Sequence, residues 1–171
     1  MQETPQQYIA RILGFSDGQD ALAVLSSTTG RLRQLVDGVP LERWRERPAE
    51  GRWSPGEVLA HLADAEIVTG WRVRSILAHD GVPLQAFDQN EWASAFKYQE
   101  VDPRESLETF AVNRAGLLAL LARVDAQRHA HHGMHAERGK ETIAHLLRLY
   151  AGHDLNHLSQ LERMLGWADV H

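Results

Sequence analysis

The chain has 171 residues, 43% hydrophobic and 24% charged, with a net charge of -5 and a sequence pI near 6.0. These values fit one globular domain over residues 1–171. They argue against a nucleic-acid partner, because no broad positive field is available for phosphates, and no apolar run approaches the roughly 20 residues of a bilayer span. Cysteine is absent, which removes disulfides, thiolate metal sites, iron–sulfur clusters and cysteine nucleophiles together. A metal here must be held by His, Asp or Glu, and thiol chemistry must use a thiol brought from outside.

Residues 1–5 contain no basic region followed by an apolar stretch, so no leader is expected and the protein is expected in the cytoplasm, with no membrane partner. Thr4 and Pro5 form a helix start, followed by a short apolar stripe of Tyr8, Ile9, Ile12 and Leu13 that Gly14 ends. Leu22, Leu25, Leu32, Leu35 and Val36 give residues 21–36 an apolar face. The run from Ser26 to Gly30 predicts a break there, since short hydroxyl side chains compete for backbone hydrogen bonds and glycine is a poor helix former. Residues 41–52 read as a loop with one helical turn.

Trp53-Ser54-Pro55-Gly56-Glu57 is the clearest start in the chain. Ser54 is an N-cap, Pro55 lies at the first helical position, and Glu57 completes a capping box. The predicted helix runs to about residue 79, with Val58, His61, Leu62, Ala65, Thr69, Val73, Ile76 and Leu77 inward. Residues 80–101 lack a long periodic run and carry Phe87, Trp92, Phe96 and Tyr98. A connection this long is a crossover or a functional lid. Asp102 and Pro103 open a helix to about residue 124. A second connection, residues 125–141, holds His129, His131, His132 and His135 and reads as a solvated loop. Thr142 caps a last helix whose stripe is Ile143, Leu146, Leu147, Tyr150, His153, His157, Leu161 and Met164, ended by Gly166. No Val/Ile/Thr-rich alternating run predicts a strand. The expected fold is all-α: four main helices in a bundle with a short extra N-terminal helix.

His153 and His157 are four apart, so a helix presents both imidazoles on one face. His61 lies on the apolar stripe of another helix. It stands about 10 Å along its helix from Ser54, and His157 about 12 Å from Leu165 at the far end of its own, at about 1.5 Å per residue. Antiparallel neighbours would bring the three level. A long crossover between the second and third main helices fits this up-down-down-up order. Three neutral imidazoles suit zinc, nickel, iron, manganese or copper and leave a coordination position open. Asp64, one turn after His61, is the candidate to orient its ring, with Asp154 and Asn156 as others. The competing reading keeps the histidines as hydrogen-bonded core residues.

The segments 53–62 (WSPGEVLAHL) and 152–157 (GHDLNH), in this order and about 90 residues apart, resemble the two histidine motifs of the DinB/YfiT-like metalloprotein superfamily. The residues Phe87, Asp88, Gln89 and Trp92, and Gly139 with Thr142, resemble the same group, over roughly residues 20–165. The resemblance implies an up-down-down-up four-helix bundle, a divalent metal on His61, His153 and His157, and a homodimer. It also implies metal-dependent transfer or isomerisation with a small-molecule thiol such as bacillithiol, mycothiol or glutathione.

Three functions stay open. The first is a metal-dependent S-transferase joining a thiol to an electrophile under residues 83–98. The second is a metal-dependent hydrolase with Asp64 or Glu66 as general base. The third is a non-enzymatic, stress-induced, metal-binding dimeric module.

Overall fold

The computed structural model describes residues 4–167; Met1 to Glu3, part of the stretch read for a leader, and residues 168–171 lie outside them. The helices are α1 (Pro5–Phe15), α2 (Ala21–Gly38), α3 (Leu41–Arg45), α4 (Pro55–Ala78), α5 (Gln89–Ala95), α6 (Pro103–Arg123) and α7 (Ile143–Leu165). Their starts are chemically marked. Thr4 and Ser54 each form a capping box with the residue three positions on, Gln7 and Glu57. Asp20, Asp102 and Thr142 accept from first-turn backbone N–H groups, satisfying donors that a helix start leaves without partners.

Two apolar clusters fix the topology of α2, α4, α6 and α7. In one, Leu25 from early α2 meets Leu77 from late α4, Leu117 from late α6 and Leu146 from early α7. In the other, Leu35 from late α2 meets Leu59 from early α4, Phe110 from early α6 and Leu161 from late α7. So α2 and α7 run one way and α4 and α6 the other, which is the up-down-down-up bundle. α4 and α7 are antiparallel, and the start of α4 lies beside the end of α7. α1 packs on α7, where Gly152 makes room: a Cβ there would stand 2.1 Å from the Ile12 carbonyl oxygen.

Three local expectations are corrected. The second segment does not break: α2 is continuous from Ala21 to Gly38. The hydroxyls of Ser26, Ser27 and Thr28 bond to the carbonyls of Leu22 and Val24 inside the helix, so they add acceptor contacts without competing for the helix N–H groups.

Three short strands are present: β1 (Val82–Leu84), β2 (His132–His135) and β3 (Gly139–Thr142). β1 pairs parallel to β2, and β2 antiparallel to β3. This sheet ties the two long connections together at the end of the bundle where α4 stops and α7 starts, with Leu84 plugged into the core beside it.

The histidine-rich connection is therefore partly ordered strand. His135 is buried at 3% exposure, and the Nδ1 of His131 lies 3.1 Å from the Ile76 carbonyl. The connection of residues 80–101 carries β1, α5 and a 3-10 turn (Tyr98–Glu100).

Candidate metal centre

The capping box at Ser54 fixes where α4 begins, and two turns later His61 faces inward. Early α4 packs against late α7, which presents His153 and His157. One nitrogen from each of the three rings lies within 4.8 Å of the others. The Nε2 atoms of His61 and His153 are 3.0 Å apart. Two imidazoles bound to one ion at about 2.1 Å each have nitrogens roughly 3.0 Å apart at a right angle and about 3.4 Å at a tetrahedral one. The rings pack edge to face, with centroids 4.4–5.2 Å apart, and Trp53 covers His61 at 5.3 Å.

His61 is 2% exposed and His153 7%. Burial, aided by the His157 charge, pushes His61 down to about 3. Burial also holds His153 well below its ordinary value, with His157, His61 and Arg114 adding to the effect. His157 is lowered by burial too, against an opposing hydrogen bond to Gln160. All three rings are thus neutral near pH 7, the protonation state a ligand needs. The His157 Nδ1 lies 2.9 Å from the Gln160 side-chain oxygen, so it donates there and turns its Nε2 lone pair toward the other two histidines. The buried Nδ1 of His61 has no hydrogen-bond partner. Three converging neutral imidazoles, with one nitrogen pair at ligand-to-ligand spacing, fit a divalent transition metal.

The carboxylates do other work. Asp64 accepts from the Tyr98 hydroxyl at 2.6 Å, and since the His61 Nδ1 is unpartnered, Asp64 does not orient that ring directly. Asp154 accepts from Thr28 at 2.8 Å and from Arg114 at 2.7 Å. Glu66 accepts from Arg114 at 2.7 Å. Asn156 lies 3.4 Å from Arg11. The ring-orienting residue at His157 is Gln160, which spacing alone could have found, since it lies three residues further along the same helix.

One cavity borders the histidines. Of about 240 Å³, it is lined by His61 and His153 together with Tyr8, Arg72, Phe87, Gln89, Arg138 and Tyr150. A larger one of about 530 Å³ is lined by none of the three histidines but by Trp53 and Gln160, which contact His61 and His157. Gln89 borders both. Of the aromatic connection, Phe87 reaches the histidine cavity. Trp92 packs on Phe87 at 4.7 Å and lines a separate apolar hollow with Trp71. Phe96 borders another hollow, beside Asp64.

A protein of Geobacillus kaustophilus named "Putative metal-dependent hydrolase GK0616" is 27% identical over 169 residues, covering 96% of this chain and 92% of its own. The Bacillus subtilis protein named "Putative metal-dependent hydrolase YfiT" is 24% identical over 152 residues, covering 86% and 85%. The solved structure of YfiT, described as an unusual four-helix bundle, superposes with a TM-score of 0.76 at 23% identity over 86% of each chain. A mycothiol-dependent maleylpyruvate isomerase superposes with a TM-score of 0.64 at 14% identity, over 85% of this chain and 59% of the isomerase. The DinB superfamily profile matches residues 25–161, a span that includes α4, α6, most of α2 and α7 and the three histidines, and the chain belongs to that superfamily.

Proposed function

We propose that His61, His153 and His157 hold a divalent transition metal and that the protein is a metal-dependent transferase acting on a low-molecular-weight thiol. The observation that carries the reading is the convergence of three neutral imidazoles, two buried and one half-buried, beside a cavity with no carboxylate among its described lining residues. A divalent ion on three imidazoles keeps a position open and lowers the pKa of a thiol or water placed there. The residues around it supply placement. His157 is fixed by Gln160, Trp53 covers His61, and helix packing at Gly152 sets the height of the histidine pair. The cleft of about 530 Å³ is large enough for a thiol with an extended body, and the cavity of about 240 Å³ for a small electrophile.

The names of the relatives favour a second reading, hydrolysis. The version of that reading with Asp64 or Glu66 as general base is weakened by their engagement with Tyr98 and Arg114. A bound ion would lower the pKa of a thiol or of a water alike, so the comparison of conjugation with ester cleavage decides between the two readings.

The test is conjugation of chlorodinitrobenzene with bacillithiol, mycothiol or glutathione, compared with ester cleavage in the absence of thiol. The expected result is metal-dependent conjugation, abolished in His153→Ala. Ester cleavage without thiol, with no conjugation, would replace transfer by hydrolysis.

A further inference from the structure

Arg72 lies on the inward face of α4, and its side chain is 2% exposed. A buried guanidinium is costly unless an anion matches it. Arg114, equally buried, has two carboxylates. Arg72 has none among the described residues. It donates to the Tyr150 hydroxyl at 3.0 Å and to the Gln85 carbonyl at 2.5 Å, both neutral acceptors, and its Nε has no partner. A guanidinium has five N–H donors, so most of its donor capacity is unspent.

This cation lines the cavity that also exposes His61 and His153. The second arginine there, Arg138, is already neutralised: its Nε and terminal nitrogen reach the two oxygens of Glu141 at 2.6 and 3.1 Å. The buried His135 nearby is held neutral, its pKa lowered by burial first and then by the charges of Arg138 and Arg72. The corner therefore carries one unmatched positive charge. Its walls are otherwise Tyr8, Ala65, Phe87, Leu149 and Tyr150, with the uncharged amide of Gln89. Its volume of about 240 Å³ is that of about eight waters at roughly 30 Å³ each.

We infer that this cavity binds a small organic monocarboxylate, with Arg72 as its counter-ion and the aromatic wall receiving its hydrocarbon part. A single negative charge matches the single unmatched cation, whereas a phosphate would bring more charge than the corner compensates. The carboxylate is thereby the recognition handle of the substrate whose other end faces the histidines. This deepens the proposed function and rests on it for the identity of the neighbouring centre. The binding itself requires no turnover.

The experiment is calorimetric titration of the full-length, metal-loaded protein with benzoate, its uncharged isostere benzamide, and inorganic phosphate, with metal content measured on each sample. The wild type is expected to bind benzoate saturably and benzamide about tenfold more weakly or worse, the loss for a charged hydrogen bond. Arg72→Met is expected to lose about tenfold or more in benzoate affinity at unchanged metal content. Should Arg72→Met fail to fold, Arg72→Lys carries the test. It keeps the charge but not the planar fork, so benzoate should bind several-fold more weakly.

Equal binding of benzoate and benzamide, tighter binding of phosphate, no saturable benzoate binding, or unchanged affinity in the Arg72 variant that folds would each overturn the inference. A protein that carries no metal yet binds benzoate through Arg72 would refute the proposed function and leave this inference standing. A metal-loaded protein active on thiols but indifferent to benzoate would do the reverse.

Discussion

The bundle buries two polar clusters that share α4 and α7, and they follow opposite rules. In one, Arg114 of α6 is held by Glu66 of α4 and Asp154 of α7, with Thr28 and the Leu25 carbonyl of α2 joining the network. All four bundle helices meet there. Burial opposes the Arg114 charge, but Asp154 and Glu66 outweigh it and raise its pKa. In the other, three imidazoles converge on one another, and Arg72 has no carboxylate partner among the described residues. The first cluster pairs its charges within the chain, and the second is where the proposed metal and carboxylate would supply the partners. Compensation from inside the chain marks a polar group that serves the fold, and its lack marks one that serves a ligand.

The sharpest way to break this comparison is to remove the two buried arginines in turn. Arg114→Met should cost about 3–5 kcal/mol, because it leaves Glu66 buried without its counter-ion and Asp154 with the Thr28 hydroxyl alone. Arg72→Met should change stability by no more than about 1 kcal/mol, since it trades two hydrogen bonds for the removal of an unmatched charge. Urea denaturation of both variants reads the difference directly, and equal losses would dissolve the distinction.

Gly152→Ala asks whether the histidine pair depends on the approach of α1. A methyl group would collide with the Ile12 backbone, which relaxes less easily than a side chain. A loss of about 1–3 kcal/mol is expected, with weaker metal retention because His153 is the next residue.

The clusters should also differ in the sign of their pH dependence in the metal-free protein. His61 is pushed down to about 3 and the other two histidines are also lowered, against 6.5 in the unfolded chain. Below pH 6.5 the unfolded chain therefore binds protons that the folded one refuses. The histidine contribution is complete above that pH and is lost as pH falls, by up to about 1.4 kcal/mol per pH unit per histidine. Burial raises the Glu66 carboxyl, with Arg114 pulling against it. Its folded form then holds a proton that the unfolded chain releases above its ordinary value of 4.5, so its contribution is complete below that pH and falls as pH rises. Thermal unfolding from pH 4 to 8 should show the wild-type slope flattened by replacing the three histidines with glutamine. Glu66→Gln should change it in the opposite sense.

Much of this was legible in the sequence, for local reasons. Caps at Ser54 and Thr142, the stop at Gly166 and the helical stripes depend on neighbours within a turn or two. They placed His61, His153 and His157 on facing helices. The sheet was not legible, because strands as short as Val82–Leu84 and His132–His135 are defined by pairing across about 50 residues and their Pro, Gly, His and Met carry no strand propensity. The continuity of α2 was missed because hydroxyls that interrupt a helix in one rotamer bond to its carbonyls in another.

Arg72 was overlooked although its position is informative. It sits three residues after Thr69 and four before Ile76, inside the buried stripe. Arg114 holds the same kind of place between Phe110 and Leu117. A charged residue in an apolar register is visible in sequence. Whether its partner lies inside the chain is visible only in three dimensions.

The measurement closest to the central claim is the metal content of the protein purified without a histidine tag, before and after reconstitution with nickel, zinc, iron or manganese, for wild type and His153→Ala. The account predicts a stoichiometric divalent ion retained through dialysis by the wild type and lost by a variant that remains folded. A wild type that retains no metal under any of these conditions, or a His153→Ala protein that retains it equally well, would contradict the account.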